Sequence, residues 1–168
     1  MTESVTDELL AHAGDYPSRY VPGEQTPRPR KHLAVVACMD ARLDLFSLLG
    51  LESGDVHLLR NAGGVVTDDV IRSLVISQRA LGTHEVILIH HTDCGMLRLS
   101  ADVFMNELMV ETGMRPTWAL ENFTDIDADL RQSLARIRTS AFIPHRDRVR
   151  GFVFEVENGN LREVFEQR

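Results

Sequence analysis

Two cysteines and one histidine stand where two apolar runs of the chain end. Cys38 closes the run Leu33–Cys38, and His91 closes the run Glu85–His91, with Cys94 shortly after it. Two thiolates and one imidazole suit zinc, at about 2.3 Å and about 2.0–2.1 Å, and a tight turn can aim His91 and Cys94 at one centre. Free cysteine is also a common buried apolar filler, so these residues alone leave a zinc site and a packing role both open.

An acidic and a basic side chain, Asp40 and Arg42, follow Cys38 closely. In isolation such a pair is usually a surface ion pair, worth about 0–1 kcal/mol. Beside a metal, the Asp40 carboxylate either completes a tetrahedral site or orients a metal-bound water, and a bidentate contact from Arg42 favours the second state. In a zinc site Asp40 would therefore be a conditional fourth ligand. If it left the zinc, a water of pKa about 7 would take the open position.

The chain has a second histidine beside the candidate ligand. His90 and His91 are adjacent on a predicted strand, so their side chains point to opposite faces and only one can reach the metal. The spacing to Cys94 favours His91 as the ligand and predicts a packing or supporting role for His90. The remaining histidines have no ligand-like spacing and are interpreted as ordinary residues: His12, His32, His57, His84 and His145.

The apolar runs that carry the candidate ligands are typical of buried parallel strands. A third run, Val56–Arg60, and a C-terminal pair, Gly151–Val156 and Leu161–Phe165, extend the pattern, and the pair flanks the turn signal Asn158-Gly159-Asn160. Helices are predicted at 44–50, from Thr67 to Gly82, at 104–109 and at 125–138, the last with a capping box formed by Thr124 and Asp127.

This alternation of strands and helices predicts an α/β fold with a mostly parallel central β-sheet flanked by helices. A C-terminal hairpin-like strand pair completes the expected sheet. In open sheets of this kind ligands bind at the carboxyl ends of the strands. Cys38 and His91 both lie at such ends, so the fold class itself brings the candidate ligands together.

The first thirty residues differ from the rest of the chain. An apolar stripe at Val5, Leu9 and Leu10 predicts a short helix over 4–13, and four of the six prolines follow before Lys31. Such a proline-rich stretch runs extended. We therefore expect a single domain over 1–168 in which 1–30 form an N-terminal helical arm and linker.

Composition narrows the class of function. The 168 residues carry 18 basic and 25 acidic side chains, a net charge of −7, which argues against nucleic acid as the main partner. No apolar run approaches the roughly 20 residues of a membrane span, and the opening residues are polar and acidic. The expectation is a cytoplasmic protein that acts on a small molecule and has no nucleic-acid or membrane partner.

Three motifs resemble the signatures of the β-class carbonic anhydrases. They are Cys38–Arg42, Arg60–Gly63 and His91–Gly95, in the family's order and spacing. The short chain and the segment Thr67–Arg72 are similar to the small actinobacterial-type members. Three departures accompany the resemblance. Ala41 stands where the family commonly has serine, and His90 stands where a glycine commonly precedes the ligand histidine. The window 27–32 lacks the substrate-side glutamine that plant-type members carry before the first cysteine, and Gln25 is the nearest candidate.

The resemblance implies a zinc lyase with one zinc per chain, bound by Cys38, His91 and Cys94. Asp40 and Arg42 would form the catalytic dyad that gates the fourth zinc position, and zinc-bound hydroxide would hydrate carbon dioxide reversibly to bicarbonate and a proton. The implied fold is a four-stranded parallel sheet with an extra strand. The implied assembly is a homodimer whose arms wrap around the partner, with further pairing of dimers left open.

Two alternatives stay open at this point. Members of the same family hydrolyse carbon disulfide or carbonyl sulfide with the same zinc site, so the motifs alone do not fix the substrate. A non-catalytic zinc- or bicarbonate-binding module is the other alternative. The presence of both Asp40 and Arg42 argues against it.

Overall fold

One five-stranded sheet organises the part of the chain that the structure describes, in the order β2-β1-β3-β4-β5. The structure is a computed structural model that describes residues 4–21 and 26–165. The first four strands of that order run parallel, and β5 is antiparallel to β4, which confirms the predicted fold class and the C-terminal strand pair. The strands are β1 (Leu33–Cys38), β2 (Val56–Asn61), β3 (Glu85–His91), β4 (Val149–Phe154) and β5 (Leu161–Val164).

In the described ranges 4–21 and 26–165, five α-helices connect or precede these strands, and two of them form the main layer over the sheet. They are α1 (Val5–Asp15), α2 (Leu45–Leu49), α3 (Asp68–Arg79), α4 (Ala101–Thr112) and α5 (Ile126–Thr139). The apolar faces of α3 and α5 pack on one face of the sheet, where Val36 and Leu88 are fully buried. Burial of that face stabilises the parallel strands.

Side-chain caps set where the helices begin. Thr67 caps α3 by accepting a hydrogen bond from the Val70 N–H, as oxygen-bearing side chains do for unpaired N–H groups. The predicted capping box of Thr124 and Asp127 is wrong: Asp125 is the N-cap of α5 and accepts from the Ala128 N–H. The Asp125 carboxylate adds a negative charge at the positive end of the helix, which the Thr124 hydroxyl lacks.

Two other predicted boundaries differ from the structure. Helix α4 spans Ala101–Thr112 rather than 104–109, because most of its surface is exposed and its apolar pattern is weak. Helix α3 ends at Arg79 with Ala80 as its C-cap. Gly82 instead forms a left-handed turn beyond the helix, at φ 75°.

The N-terminal arm stands apart from the core, while the end of the linker is docked. Helix α1 buries none of its residues. By contrast, the Arg30 and Lys31 N–H groups donate to the carbonyls of Gly54 and Asp55. Residues 1–3 and 22–25 of the predicted arm and linker lie outside the described residues. None of the helices within 4–21 and 26–165 has the length and apolarity needed to cross a bilayer.

Candidate metal centre

The sheet brings Cys38, His91 and Cys94 together at the carboxyl ends of β1 and β3. These strands are neighbours, with Ala37 in register with Ile89, so Cys38 and His91 follow directly at the same edge. The three ligand atoms all lie within 4.8 Å of one another, and all three residues are buried. The two sulfurs are 4.0 Å apart, close to the roughly 3.8 Å expected for two thiolates on a tetrahedral zinc.

The imidazole of His91 presents a free nitrogen to this cluster. Its Nδ1 lies 2.8 Å from the Thr92 carbonyl oxygen, and because a carbonyl only accepts, Nδ1 carries the proton. The other nitrogen, Nε2, is buried and has no hydrogen-bond partner within the described parts of the chain. A buried acceptor without a partner is costly. Its position beside two sulfurs fits a metal ion, and the donor set fits zinc.

The electrostatics of the cluster favour a thiolate. The hydrogen bond from Cys94, the largest influence, lowers the pKa of Cys38 to about 4 despite burial, and the same shared proton raises the pKa of Cys94. Burial, the largest single influence, disfavours a charged His91 ring, but the Cys38 sulfur, the Thr92 carbonyl and Asp40 together raise the pKa of His91. The three groups are therefore prepared to hold a positive charge, as a divalent cation supplies.

Asp40 and Arg42 form a bidentate pair at the edge of the cluster. The Arg42 Nε donates to Asp40 Oδ1 at 3.0 Å, and its Nη2 donates to Asp40 Oδ2 at 2.9 Å. The Arg42 guanidinium holds the pKa of Asp40 well below its usual range, so the carboxylate is ionised at neutral pH. Asp40 Oδ2 is also only 3.7 Å from His91 Nε2, which leaves the carboxylate between the arginine and the candidate metal position.

Two further side chains support this arrangement, and sequence reasoning missed both. Arg60 on β2 donates to the carbonyl oxygens of Cys38, at 2.9 Å, and Asp40, at 2.6 Å. Asp93 accepts from Arg42 at 2.9 Å. Both lie inside the motifs Arg60–Gly63 and His91–Gly95, but motif spacing does not reveal which backbone atoms or loops a side chain reaches.

His90 lies on the opposite face of β3, as strand alternation predicts. Its Nε2 is 2.7 Å from Asp129 Oδ2 on α5, and its ring stacks on Phe123 with centroids 5.6 Å apart. The ring is fully buried. His90 thus ties the strand that carries His91 to the helix layer.

Comparison with known proteins identifies the family. The carbonic anhydrase family model matches residues 33–161. β-Carbonic anhydrase 1 of Mycobacterium tuberculosis is 54% identical over 161 residues, which cover 96% of this chain and 98% of that protein. The chain belongs to the β-carbonic anhydrase family. The buried Cys38, His91 and Cys94 cluster is typical of the family's zinc site.

Two other relatives place this carbonic anhydrase within the family. The crystal structure of carbonic anhydrase from Streptococcus mutans superposes with a TM-score of 0.89 at 38% identity, covering 98% of this chain and 100% of that one. A carbon disulfide hydrolase of Acidithiobacillus thiooxidans is 33% identical over 153 residues, covering 79% of this chain and 76% of that protein. The family thus includes relatives with a different named substrate.

Proposed function

We propose that this β-carbonic anhydrase catalyses the reversible hydration of carbon dioxide to bicarbonate. The observation that carries the proposal is the juxtaposition of the Cys38, His91 and Cys94 cluster with an ionised Asp40 held by Arg42. A zinc site alone would suit a structural role. An aspartate beside the cluster, held by an arginine instead of being buried among the ligands, suits a site with an exchangeable fourth position.

We assign the cluster residues as the zinc ligands, one zinc per chain. When bound, zinc supplies a Lewis acid that makes water nucleophilic near neutral pH. Cys38 and Cys94 contribute thiolate charge, and His91 contributes Nε2 because its Nδ1–H is committed to the Thr92 carbonyl.

Asp40 and Arg42 are assigned as the gating dyad. Asp40, kept ionised by Arg42, accepts a hydrogen bond and orients the attacking oxygen. Arg42 holds the carboxylate away from the cluster. Loss of that hold allows Asp40 to close the site as a conditional fourth ligand.

Hydrolysis of carbon disulfide or carbonyl sulfide is the alternative, since the ligand residues serve that chemistry equally well. Identity favours carbon dioxide: the mycobacterial carbonic anhydrase is 54% identical over 96% of this chain, whereas a carbon disulfide hydrolase that covers 97% of this chain is 32% identical.

Parallel assays test the proposal. Purified protein with measured zinc content is assayed for carbon dioxide hydration, carbon disulfide hydrolysis and carbonyl sulfide hydrolysis. Hydration of carbon dioxide should be the fastest reaction. Both Asp40→Ala and Arg42→Ala should retain zinc and lose most of the hydration activity. A protein that hydrolyses carbon disulfide but does not hydrate carbon dioxide would overturn the assignment. A zinc-loaded protein inactive in all three assays would indicate a binding module.

We also propose a homodimer as the working unit. A parallel sheet needs cover on both faces, and on the face opposite α3 and α5 the side chains of Leu58, Ile87 and Phe154 are only half-buried. A second copy laid against this face and crossed by the α1 arm would bury them.

We further propose that residues 1–168 form one domain and that the protein is cytoplasmic. Cys38 and Cys94 form no disulfide, and the reducing cytoplasm would keep them in that state.

A further inference from the structure

Asp93 occupies an unusual position between two of the cluster residues. It lies in the turn from His91 to Cys94 and has φ 53°. The left-handed region is disfavoured for residues with a Cβ, but aspartate and asparagine visit it more readily than most. The turn therefore has a conformational reason to use Asp or Asn here. It does not by itself require a negative charge.

The negatively charged Asp93 carboxylate contacts Arg42. Arg42 Nη1 donates to Asp93 Oδ2 at 2.9 Å, and Arg42 Nη2 donates to the Asp93 carbonyl oxygen at 3.1 Å. The other Asp93 carboxylate oxygen accepts from Arg98. One side of the Arg42 guanidinium thus contacts Asp40, and the other contacts Asp93.

This second contact matters because Arg42 is a long and half-exposed side chain. Its side-chain exposure is 47%, and a half-exposed arginine that pairs with one carboxylate keeps many competing rotamers. When Arg42 bonds to both Asp40 and Asp93, a single side-chain conformation lets the planar guanidinium donate to both carboxylates. The pair of anchors also ties the loop after β1 to the turn that carries Cys94.

We infer that Asp93 is a positioning residue: it fixes the Arg42 guanidinium where Arg42 can hold Asp40 away from the cluster. The inference rests on the proposed function for its catalytic meaning. Without the Asp93 charge, Arg42 keeps only Asp40 and the carbonyl of residue 93 as partners, so the guanidinium turns into solvent more often and Asp40 is more often released toward the cluster. A purely conformational role of Asp93 in the turn predicts no such release.

Asp93→Asn separates the two roles, because asparagine keeps the left-handed turn and removes the charge. The Arg42 Nε–H donates to Asp40 Oδ1, so its NMR signal in the metal-free protein, assigned by its loss in Arg42→Lys, reports whether Arg42 stays on Asp40. We expect this signal to exchange with solvent at least about tenfold faster in Asp93→Asn, which is the change expected when a charged hydrogen bond is lost.

Azide binding to the cobalt-substituted protein, followed by its visible absorption, reports whether Asp40 closes the site. We expect azide affinity to fall about tenfold in Asp93→Asn. If Asp93 acts through Asp40, the double variant Asp93→Asn with Asp40→Ala should bind azide as Asp40→Ala does. Asp69→Asn, which removes an exposed carboxylate paired with Arg72 on α3, is the matched control and should change neither measurement.

Unchanged Arg42 exchange and unchanged azide affinity in Asp93→Asn would overturn the inference. A double variant that still binds azide tenfold more weakly than Asp40→Ala would also overturn it, since Asp93 would then act by another route. Asp93→Gly, which fits the turn and keeps the carbonyl, replaces Asp93→Asn if that variant does not fold. Failure of the proposed function would be seen separately, because the wild-type protein would then not hydrate carbon dioxide. The exchange rate of the Arg42 Nε–H would still decide whether Asp93 anchors Arg42.

Discussion

At the scale of single residues, the candidate metal centre depends on hydrogen bonds that leave the right atoms free. The Thr92 carbonyl fixes the His91 tautomer, and the hydrogen bond between the sulfurs favours one thiolate even without a cation. These contacts orient the ligands before metal arrives, as contacts behind metal ligands commonly do. The fold thus places the ligand atoms close together and leaves His91 Nε2 free for a metal ion.

The ligand assignment predicts a clear difference between two variants. Cys94→Ser should lose most of its zinc, because a serine hydroxyl stays protonated near neutral pH and is a poor zinc ligand. Asp40→Ala should keep about one zinc per chain, because three protein ligands remain. Elemental analysis of both purified proteins decides the matter, and a full zinc complement in Cys94→Ser would remove Cys94 from the ligand set.

The sequence allowed prediction of residues at strand ends but not of contacts made across loops. Cys38 and His91 end runs whose apolar character already marks β1 and β3, so their meeting follows from the sheet. The contact of Arg42 with Asp93 depends on a left-handed turn and on two loops meeting. Neither is encoded in hydrophobic periodicity, which reports burial and not the direction of a surface side chain.

At the scale of elements, the turn after β2 fits closely beneath the strands that carry the ligands. Gly64 has φ 71°, and a Cβ there would lie 2.7 Å from the Cys38 nitrogen and 2.9 Å from the Ala37 carbonyl carbon. The motif Arg60–Gly63 is extended by this glycine. The sequence indicated a glycine-permitted turn, but only the structure shows that backbone atoms of β1 occupy the space where a side chain would stand.

Gly64→Ala should therefore damage both stability and the metal centre. Overpacking against backbone and a strained left-handed alanine should lower the free energy of unfolding by about 2–4 kcal/mol, and displacement of Cys38 should weaken zinc retention. Denaturant unfolding and zinc analysis measure the two effects. Gly14→Ala, where no atom lies within 4 Å of the added Cβ, is the control. Gly64→Ala with control-like stability and zinc content would contradict the packing argument.

An ion pair joins α5 to the edge strand β5, and its contribution should depend on pH. Arg162 contacts both Asp127 carboxylate oxygens, at 3.0 Å and 2.6 Å, and lowers the pKa of Asp127. A carboxyl whose pKa is lower in the folded state stabilises the fold above its unfolded pKa of about 3.9. That contribution disappears as pH falls through the folded pKa.

Asp127→Asn should thus lower the free energy of unfolding by about 1 kcal/mol at pH 7, the upper range for a partly exposed bidentate pair. The difference in free energy of unfolding between the variant and the wild type should shrink as the pH falls below about 4. Denaturant unfolding over a range of pH, at fixed zinc and protein concentration, measures this difference. Glu107→Gln, on an exposed face of α4, is the control. A deficit that persists unchanged in acid would assign the effect to packing.

At the scale of the whole molecule, the single chain exposes more surface than its mass requires. Its accessible surface is 11027 Å², whereas a compact monomer of 18.9 kDa exposes about 8,300 Å². The excess of about 2,700 Å² per chain is larger than the roughly 800 Å² that each partner buries in a standard interface, and it is comparable with the largest obligate interfaces. Helix α1 contributes to it, since Val5, Leu9 and Leu10 are 71%, 63% and 63% exposed.

The proposed contact between the α1 arm and the second subunit can be tested directly. An isolated helix as short as α1 is marginal in water, so its exposed apolar stripe needs a surface, which we expect the second subunit to provide. Deleting residues 1–20 leaves Arg30 in its ion pair with Asp55 and should weaken the dimer and lower the melting temperature without removing zinc. Light scattering over a concentration series and thermal unfolding measure both effects.

The full-length variant Leu9→Ser with Leu10→Ser should behave like the deletion, and Glu8→Gln should not. An undiminished dimer of unchanged stability after the deletion would show that the arm does not hold the subunits together.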